Sequence, residues 1–241
     1  MLPMRKRSLP KSPVDWRQVF ILTGLMAPVL FLWNTWAVYP LKILVVFFHE
    51  VSHAIAAWAT GGSVGGIQLE AAQGGVCQVA GGNAFIVLTA GYLGSLVWGG
   101  IILNLAARTK ADKPVAGLLG VLLLVITAWL VRPVLHFGFL FGALTGVALL
   151  ASGIYLPQWS NSALLKVIGL TSCLYAVLDI KSDILDRPEL HSDAYMLAEL
   201  THTPTLLWGV IWIVIAALLS LRFLATACRK VPGRDGLRSQ T

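Results

Sequence analysis

The chain has 241 residues, of which 57% are hydrophobic and only 12% charged, with a formal net charge of +7 and a mean hydropathy of +0.77. Soluble globular domains carry about a quarter charged residues, so this composition excludes that class. The basic excess lies mainly at the two ends, in Arg5, Lys6, Arg7, Lys11 and Arg17 and in Arg229, Lys230, Arg234 and Arg238. In a membrane protein this reads as topology and lipid-headgroup contact, not as a nucleic-acid surface. The three cysteines (Cys77, Cys173, Cys228) form no C-x-x-C pair and support neither a disulfide framework nor a thiolate zinc site.

Apolar runs of about 20 residues, long enough to cross a hydrocarbon core of about 30 Å, account for most of the chain. In chain order they cover 19–38, 41–60, 83–107, 114–131, 133–156, 164–184 and 206–227. The first run follows basic residues as a signal peptide would, but no small-residue cleavage site follows it, so an uncleaved span is expected. Arg132-Pro133 divides what would otherwise be one overlong run, and proline suits the start of a helix. The reading is an all-α polytopic membrane protein with six or seven transmembrane helices. A basic N-terminal segment (1–18) and a basic C-terminal tail (229–241) flank one membrane domain (19–228). Five basic residues before the first run favour a cytoplasmic N-terminus. Seven spans would put Arg108, Lys110, Lys113 and the C-terminal tail on the opposite side, so the parity stays open.

The second run contains His49-Glu50-Val51-Ser52-His53, an H-E-x-x-H motif. Histidines at i and i+4 share one helix face, about 5–6 Å apart at Cβ, and can supply two corners of a tetrahedral zinc site. The intervening glutamate is placed to take a proton from a water at that metal. With five His and four Glu in the chain, the motif is expected by chance in roughly two of a thousand such sequences. Three ionisable residues inside an apolar span are also expensive and mark function. Directly after this helix, residues 61–82 hold two short β-prone runs around Ile67-Gln68-Leu69-Glu70 and Val76-Cys77-Gln78-Val79, separated by a Gly-containing turn. They predict a small Gly-rich hairpin or re-entrant segment.

Further along, Gly91, Ser95 and Gly99 fall on one face at i+4 spacing and allow two membrane helices to approach closely. A catalytic zinc needs a third protein ligand and an open position. Among residues at membrane depth, Asp179 follows an unbroken apolar turn and is the first choice. Asp183, next to Lys181 and Ser182, is an alternative or a carboxylate that supports a ligand. His136 reads as a hydrogen-bonded core histidine, and His191 and His202 as solvated. Glu70 reads as a carboxylate on a strand. Residues 192–199 predict a short capped helix whose N-terminus Asp193 serves.

Taken together, these residues resemble the site-2 protease family of intramembrane zinc metallopeptidases, in particular its compact site-2-protease-like branch. The matching segments are Phe48-His49-Glu50-Val51-Ser52-His53-Ala54, the Gly-rich stretch 61–82, Ala90-Gly91-Tyr92-Leu93-Gly94-Ser95, Leu178-Asp179-Ile180 and Ser192-Asp193-Ala194. They cover most of the chain, from the second run to the last. The resemblance implies Zn2+ bound by His49, His53 and a distant aspartate, best matched by Asp179, with Glu50 as general base and acid. It also implies a membrane protein substrate within the lipid bilayer. Where the family usually has Ala-Gly-Pro ending in Asn, this chain has Ala90-Gly91-Tyr92 ending in Ser95. Where the family has Leu-Asp-Gly, the glycine position is Ile180. The hairpin, through Ile67, Gln68, Leu69 and Glu70, is expected to hold an unwound substrate segment by strand addition. Two rival readings are an inactive relative that binds membrane clients and a metal transporter. The retained Glu50 argues against the first, and the single ionisable cluster against the second.

Overall fold

The computed structural model describes residues 13–186 and 191–231. Most of the basic end segments therefore lies outside the described residues. The first helix, α1 (Trp16–Phe31), is capped by Asp15, whose carboxylate accepts from the Gln18 N–H at 3.2 Å. Its 16 residues rise about 24 Å, short of the hydrocarbon thickness. The expected run to residue 38 is interrupted because Thr35 turns the chain, its hydroxyl donating to the Leu32 carbonyl at 2.7 Å.

Next comes α2 (Tyr39–Ala59), with Pro40 in its first turn, where a missing N–H costs nothing. It is followed by strands β1 (Ser63–Leu69) and β2 (Gly75–Ala80), then α3 (Ala84–Arg108), α4 (Asp112–Leu130) and α5 (Phe137–Tyr155). α6 (Gln158–Lys181) runs on through a π-helical turn, Ser182–Asp186. A short α7 (Asp193–Thr201) and the long α8 (Thr205–Ala227) complete the described chain. Among the described residues, six helices are long and apolar enough to cross a membrane: α2 to α5, α6 with its π turn, and α8. The chain is a multi-pass integral membrane protein. Pro133 does not begin α5: the helix starts four residues later, and the segment before it pairs with the hairpin, the Arg132 N–H donating to the Ile67 carbonyl of β1 at 2.9 Å.

α2 is the central helix. Of its apolar window 78% is buried, against 17% for α8. Its Leu44, Phe47, Phe48 and Val51 pack with Leu119 and Leu123 of α4 and Leu165 and Ile168 of α6. α3 and α6 meet through small residues. A Cβ on Gly169 would lie 2.7 Å from the Gly99 carbonyl oxygen, and the Ser172 hydroxyl donates to the Ser95 carbonyl at 2.7 Å. Dispersion over such closely packed backbones is what holds membrane helices together. A second cluster joins Tyr92 and Leu96 of α3, Ile180 of α6, Leu197 of α7 and Trp212 of α8. That cluster anchors α7 against the face of α3.

β1 and β2 pair antiparallel, from Ser63 opposite Ala80 to Leu69 opposite Gly75, with an irregularity between Val64 and Gly66. The hairpin lies along α2. Its tip accepts from the Tyr39 hydroxyl through the Ala71 carbonyl at 2.7 Å, and at its base the Asn83 N–H donates to Thr60 Oγ1 at 3.0 Å.

The conflict over parity in the basic residues disappears at one end of the bundle. The Asp15 N–H donates to the Cys228 carbonyl at 2.7 Å, Arg108 Nη1 to the Thr226 carbonyl at 2.8 Å, and Gln158 Nε2 to the Lys110 carbonyl at 2.7 Å. The start of α1, the α3–α4 connection and the end of α8 therefore meet, and with them the basic residues described in these segments.

Candidate metal centre and active site

One turn of α2 places His49 and His53 on the same face, with ring centroids 4.7 Å apart. The partner that completes the group comes from α7. Asp193 Oδ2 lies 3.0 Å from His49 Nε2 and 3.2 Å from His53 Nε2. Ligand atoms about 2.0–2.1 Å from a tetrahedral zinc stand about 3.3 Å from one another, so these spacings are those of three ligands around one ion. His49, His53 and Asp193 are the one group of this kind among the described residues.

Three local features fit the group to a cation. His53 Nδ1 lies 2.7 Å from the Val87 carbonyl, to which it must donate, so a neutral His53 presents a lone pair at Nε2. Asp193 Oδ2 is buried, and an acceptor facing an acceptor is relieved only by positive charge between them. Finally, Gly91 leaves open the space a side chain would fill: a Cβ there would collide with His49 Nε2 and come 2.6 Å from Asp193 Oδ2. Burial by itself would raise the Asp193 carboxyl, but positive charge on the facing His53 and His49 outweighs burial and holds it below the ordinary carboxylate range. The donor set of two imidazoles and one carboxylate, with a fourth direction open, is that of catalytic zinc sites.

Asp193 replaces Asp179 in the geometric group, and its position explains the change. Ser192, not Asp193, caps α7: the Ser192 hydroxyl accepts from the Tyr195 N–H at 3.3 Å. Asp193 is left one residue inside the helix, its carboxylate free to point toward α2. Asp179 lines the same cavity but does not join the cluster within ligand range. Asp183, also in the cavity wall, accepts from the Tyr92 hydroxyl at 2.5 Å. Tyr92, at the position where the resembled family has proline, meets the His49 ring edge-on at 5.0 Å and packs on Trp212. It thereby braces a candidate ligand against α6 and α8.

Glu50 faces the hairpin. Its carboxylate accepts from the backbone N–H of Cys77, and a Cβ on Gly75 would come 2.5 Å from Glu50 Oε1. The Cys77 N–H thus points away from β1, so the outer edge of β2 looks into the site. The cavity has a volume of about 760 Å³ and is bordered by Gly75, Cys77 and Val79 of β2, by Tyr92, and by the His49–Glu50–His53 face. Ile67, Gln68, Leu69 and Glu70 do not border it. Ile67 and Leu69 are core residues, and the outer edge of β1 is met by Val131 and Arg132. His191 borders the cavity and packs on Tyr195, whereas His136 stands just before α5, exposed. Burial, then the nearby Glu50, pushes the Cys77 thiol up to about 12.

A family model described as Peptidase M50B-like matches residues 21–222. The chain belongs to this family, whose domain is that of the site-2 proteases. No curated protein and no solved structure matches the chain.

Proposed function

We propose that this protein is an intramembrane zinc metallopeptidase that hydrolyses peptide bonds of membrane-spanning or membrane-associated proteins. The observation that carries the reading is the convergence of His49 Nε2, His53 Nε2 and Asp193 Oδ2 within 3.2 Å of the shared carboxylate oxygen, with Glu50 alongside. M50 peptidases are zinc metalloproteases. A zinc ion held by these three residues would polarise a peptide carbonyl and bring the pKa of a water toward 7.

The chain's own groups supply the rest. Glu50, steadied by the Cys77 N–H, takes a proton from the attacking water and returns it to the leaving amine. The Val87 carbonyl fixes the tautomer of His53, and Tyr92 fixes the ring of His49. A membrane-spanning helix hides its peptide bonds in its own hydrogen bonds and must unwind to be cut. The outer edge of β2, from Gly75 to Ala80, offers backbone groups to which the unwound strand can add. This role falls to β2 because β1 is already covered by residues 131 and 132.

The test is to compare membrane-protein fragments, by terminal-peptide mass spectrometry, in cells expressing the wild type or Glu50→Gln. The reading expects new termini inside hydrophobic spans with the wild type only. Identical fragment sets from the two strains, at equal expression, would refute it and favour a client-binding protein without hydrolytic activity.

A further inference from the structure

A second cavity, of about 250 Å³, adjoins the first at the hairpin tip and shares Gln73 and Asp179 with it. Trp33, Lys42, Tyr175 and Ser182 also line it. Lys42 is unusual. It lies in the first turn of α2, is only 8% exposed, and holds its ammonium 4.6 Å from the centroid of the Trp33 ring. A lysine at a membrane boundary ordinarily extends its charge to water or headgroups. This one points inward, and among the described residues no carboxylate lies within ion-pair distance of it. The face of Trp33 compensates only part of the lost hydration of an ammonium. Asp179, in the shared wall, is the carboxyl residue of this lining, and Lys42 is the sole cation among the described lining residues.

The chamber borders the turn that leads into the edge facing the site, through Ala72 and Gln73. Gly75 abuts Glu50, and Gln73, two residues further toward the tip, already belongs to the small cavity. A strand added along β2 with its scissile bond beside Glu50 would carry its residues into this chamber about two positions from the cut.

We propose that the Lys42 chamber is a specificity subsite that selects a carboxylate on the substrate, carried about two residues from the scissile bond. The proposal rests on the peptidase reading of the larger cavity. A carboxylate entering the chamber would give Lys42 the charge-assisted partner that none of the described residues supplies. Two sources share this chemistry, an acidic side chain within the strand and a free chain terminus.

The probes are acetylated, amidated 12-residue Ala/Val/Leu peptides with a single Glu, Gln or Lys at successive positions. A second pair is uncharged and differs only in a free or amidated C-terminus. Affinity for full-length, zinc-loaded Glu50→Gln protein in detergent is read by fluorescence anisotropy. At one position, Glu is expected to bind at least about tenfold tighter than Gln, with Lys weakest. A side-chain source gives that preference in the amidated series, and a terminal source gives it only in the free-terminus pair. Adding Lys42→Met should bring the favoured peptide down to the affinity of its neutral counterpart, and adding Lys42→Arg should keep the preference. Zinc content and thermal melting show that each variant is folded. Equal binding of charged and neutral peptides throughout, no peptide binding at all, or a preference that survives Lys42→Met would overturn the proposal. The same peptides incubated with Glu50 intact separate the two readings. Lys42-dependent binding without cleavage removes the peptidase and leaves the subsite. Cleavage indifferent to the carboxylate removes the subsite alone.

Discussion

Gly91→Ala adds a single methyl group at the metal centre, and its effect can be worked from distances. The new Cβ would overlap His49 Nε2 and lie 2.6 Å from Asp193 Oδ2, where ordinary contact begins at 3.4 Å. Relief requires a shift of about 0.8 Å at Asp193 and a larger one at His49, whereas metal–ligand distances tolerate only about 0.2 Å. Without zinc no ligand atom is held to a metal distance, so the strain falls mainly on the zinc-bound state. Overpacking of this kind costs about 1–3 kcal/mol, which corresponds to roughly 5- to 150-fold in the zinc dissociation constant. The assay is titration of the purified protein against a competing zinc chelator, with circular dichroism to confirm helix content. Gly24→Ala is the matched control, since a Cβ there has no neighbour within 4 Å, and it should leave zinc affinity unchanged. A Gly91→Ala protein whose zinc affinity stays within about twofold of the wild type would refute the geometry of the centre.

Three further outcomes follow from the site and its surroundings. Asp179→Asn should retain one zinc per chain, because Asp179 lies outside the ligand cluster; loss of zinc in this variant alone would return it to the ligand set. Cys77 should resist iodoacetamide at pH 8. With its pKa raised from 9.0 to about 12, its reactive thiolate is about a thousandfold scarcer than an ordinary thiol's and recovers only as pH rises toward 12; alkylation at the rate of a free cysteine would contradict this. The basic end, where the start of α1, the α3–α4 connection and the end of α8 meet, should be cytoplasmic by the positive-inside rule. Membrane-impermeant labelling of a cysteine introduced at Lys110 in intact cells would then fail, and labelling there would reverse the orientation.

His49, Glu50 and His53 were legible because a helix turns i and i+4 to one face whatever surrounds it. The long apolar helices were legible because length and hydropathy suffice to recognise them. Asp193 was not, and the reason is local. It stands in a polar stretch beside a good capping residue, so an N-terminal role looked sufficient. The packing of Leu197 and Trp212 with Tyr92 helps to bring α7 to the face of α2. One signal was present: with Ser192 able to cap the helix, the adjoining carboxylate had no local task. The edge of the hairpin that borders the cavity was hidden for a similar reason. Which edge of a hairpin is open depends on a contact between Ile67 and Val131, 64 residues apart in the chain. Small-residue spacing marked one helix face, along which Gly91 leaves room for His49 and Asp193, while Ser95 and Gly99 receive α6.

The central claim is tested most directly by measuring zinc content and hydrolysis of one captured membrane client on the same preparations of wild type, Glu50→Gln and Asp193→Asn. The account predicts one zinc with cleavage, one zinc without cleavage, and neither zinc nor cleavage, respectively. An Asp193→Asn protein that keeps its zinc, or a Glu50→Gln protein that cleaves at the wild-type rate, would contradict it.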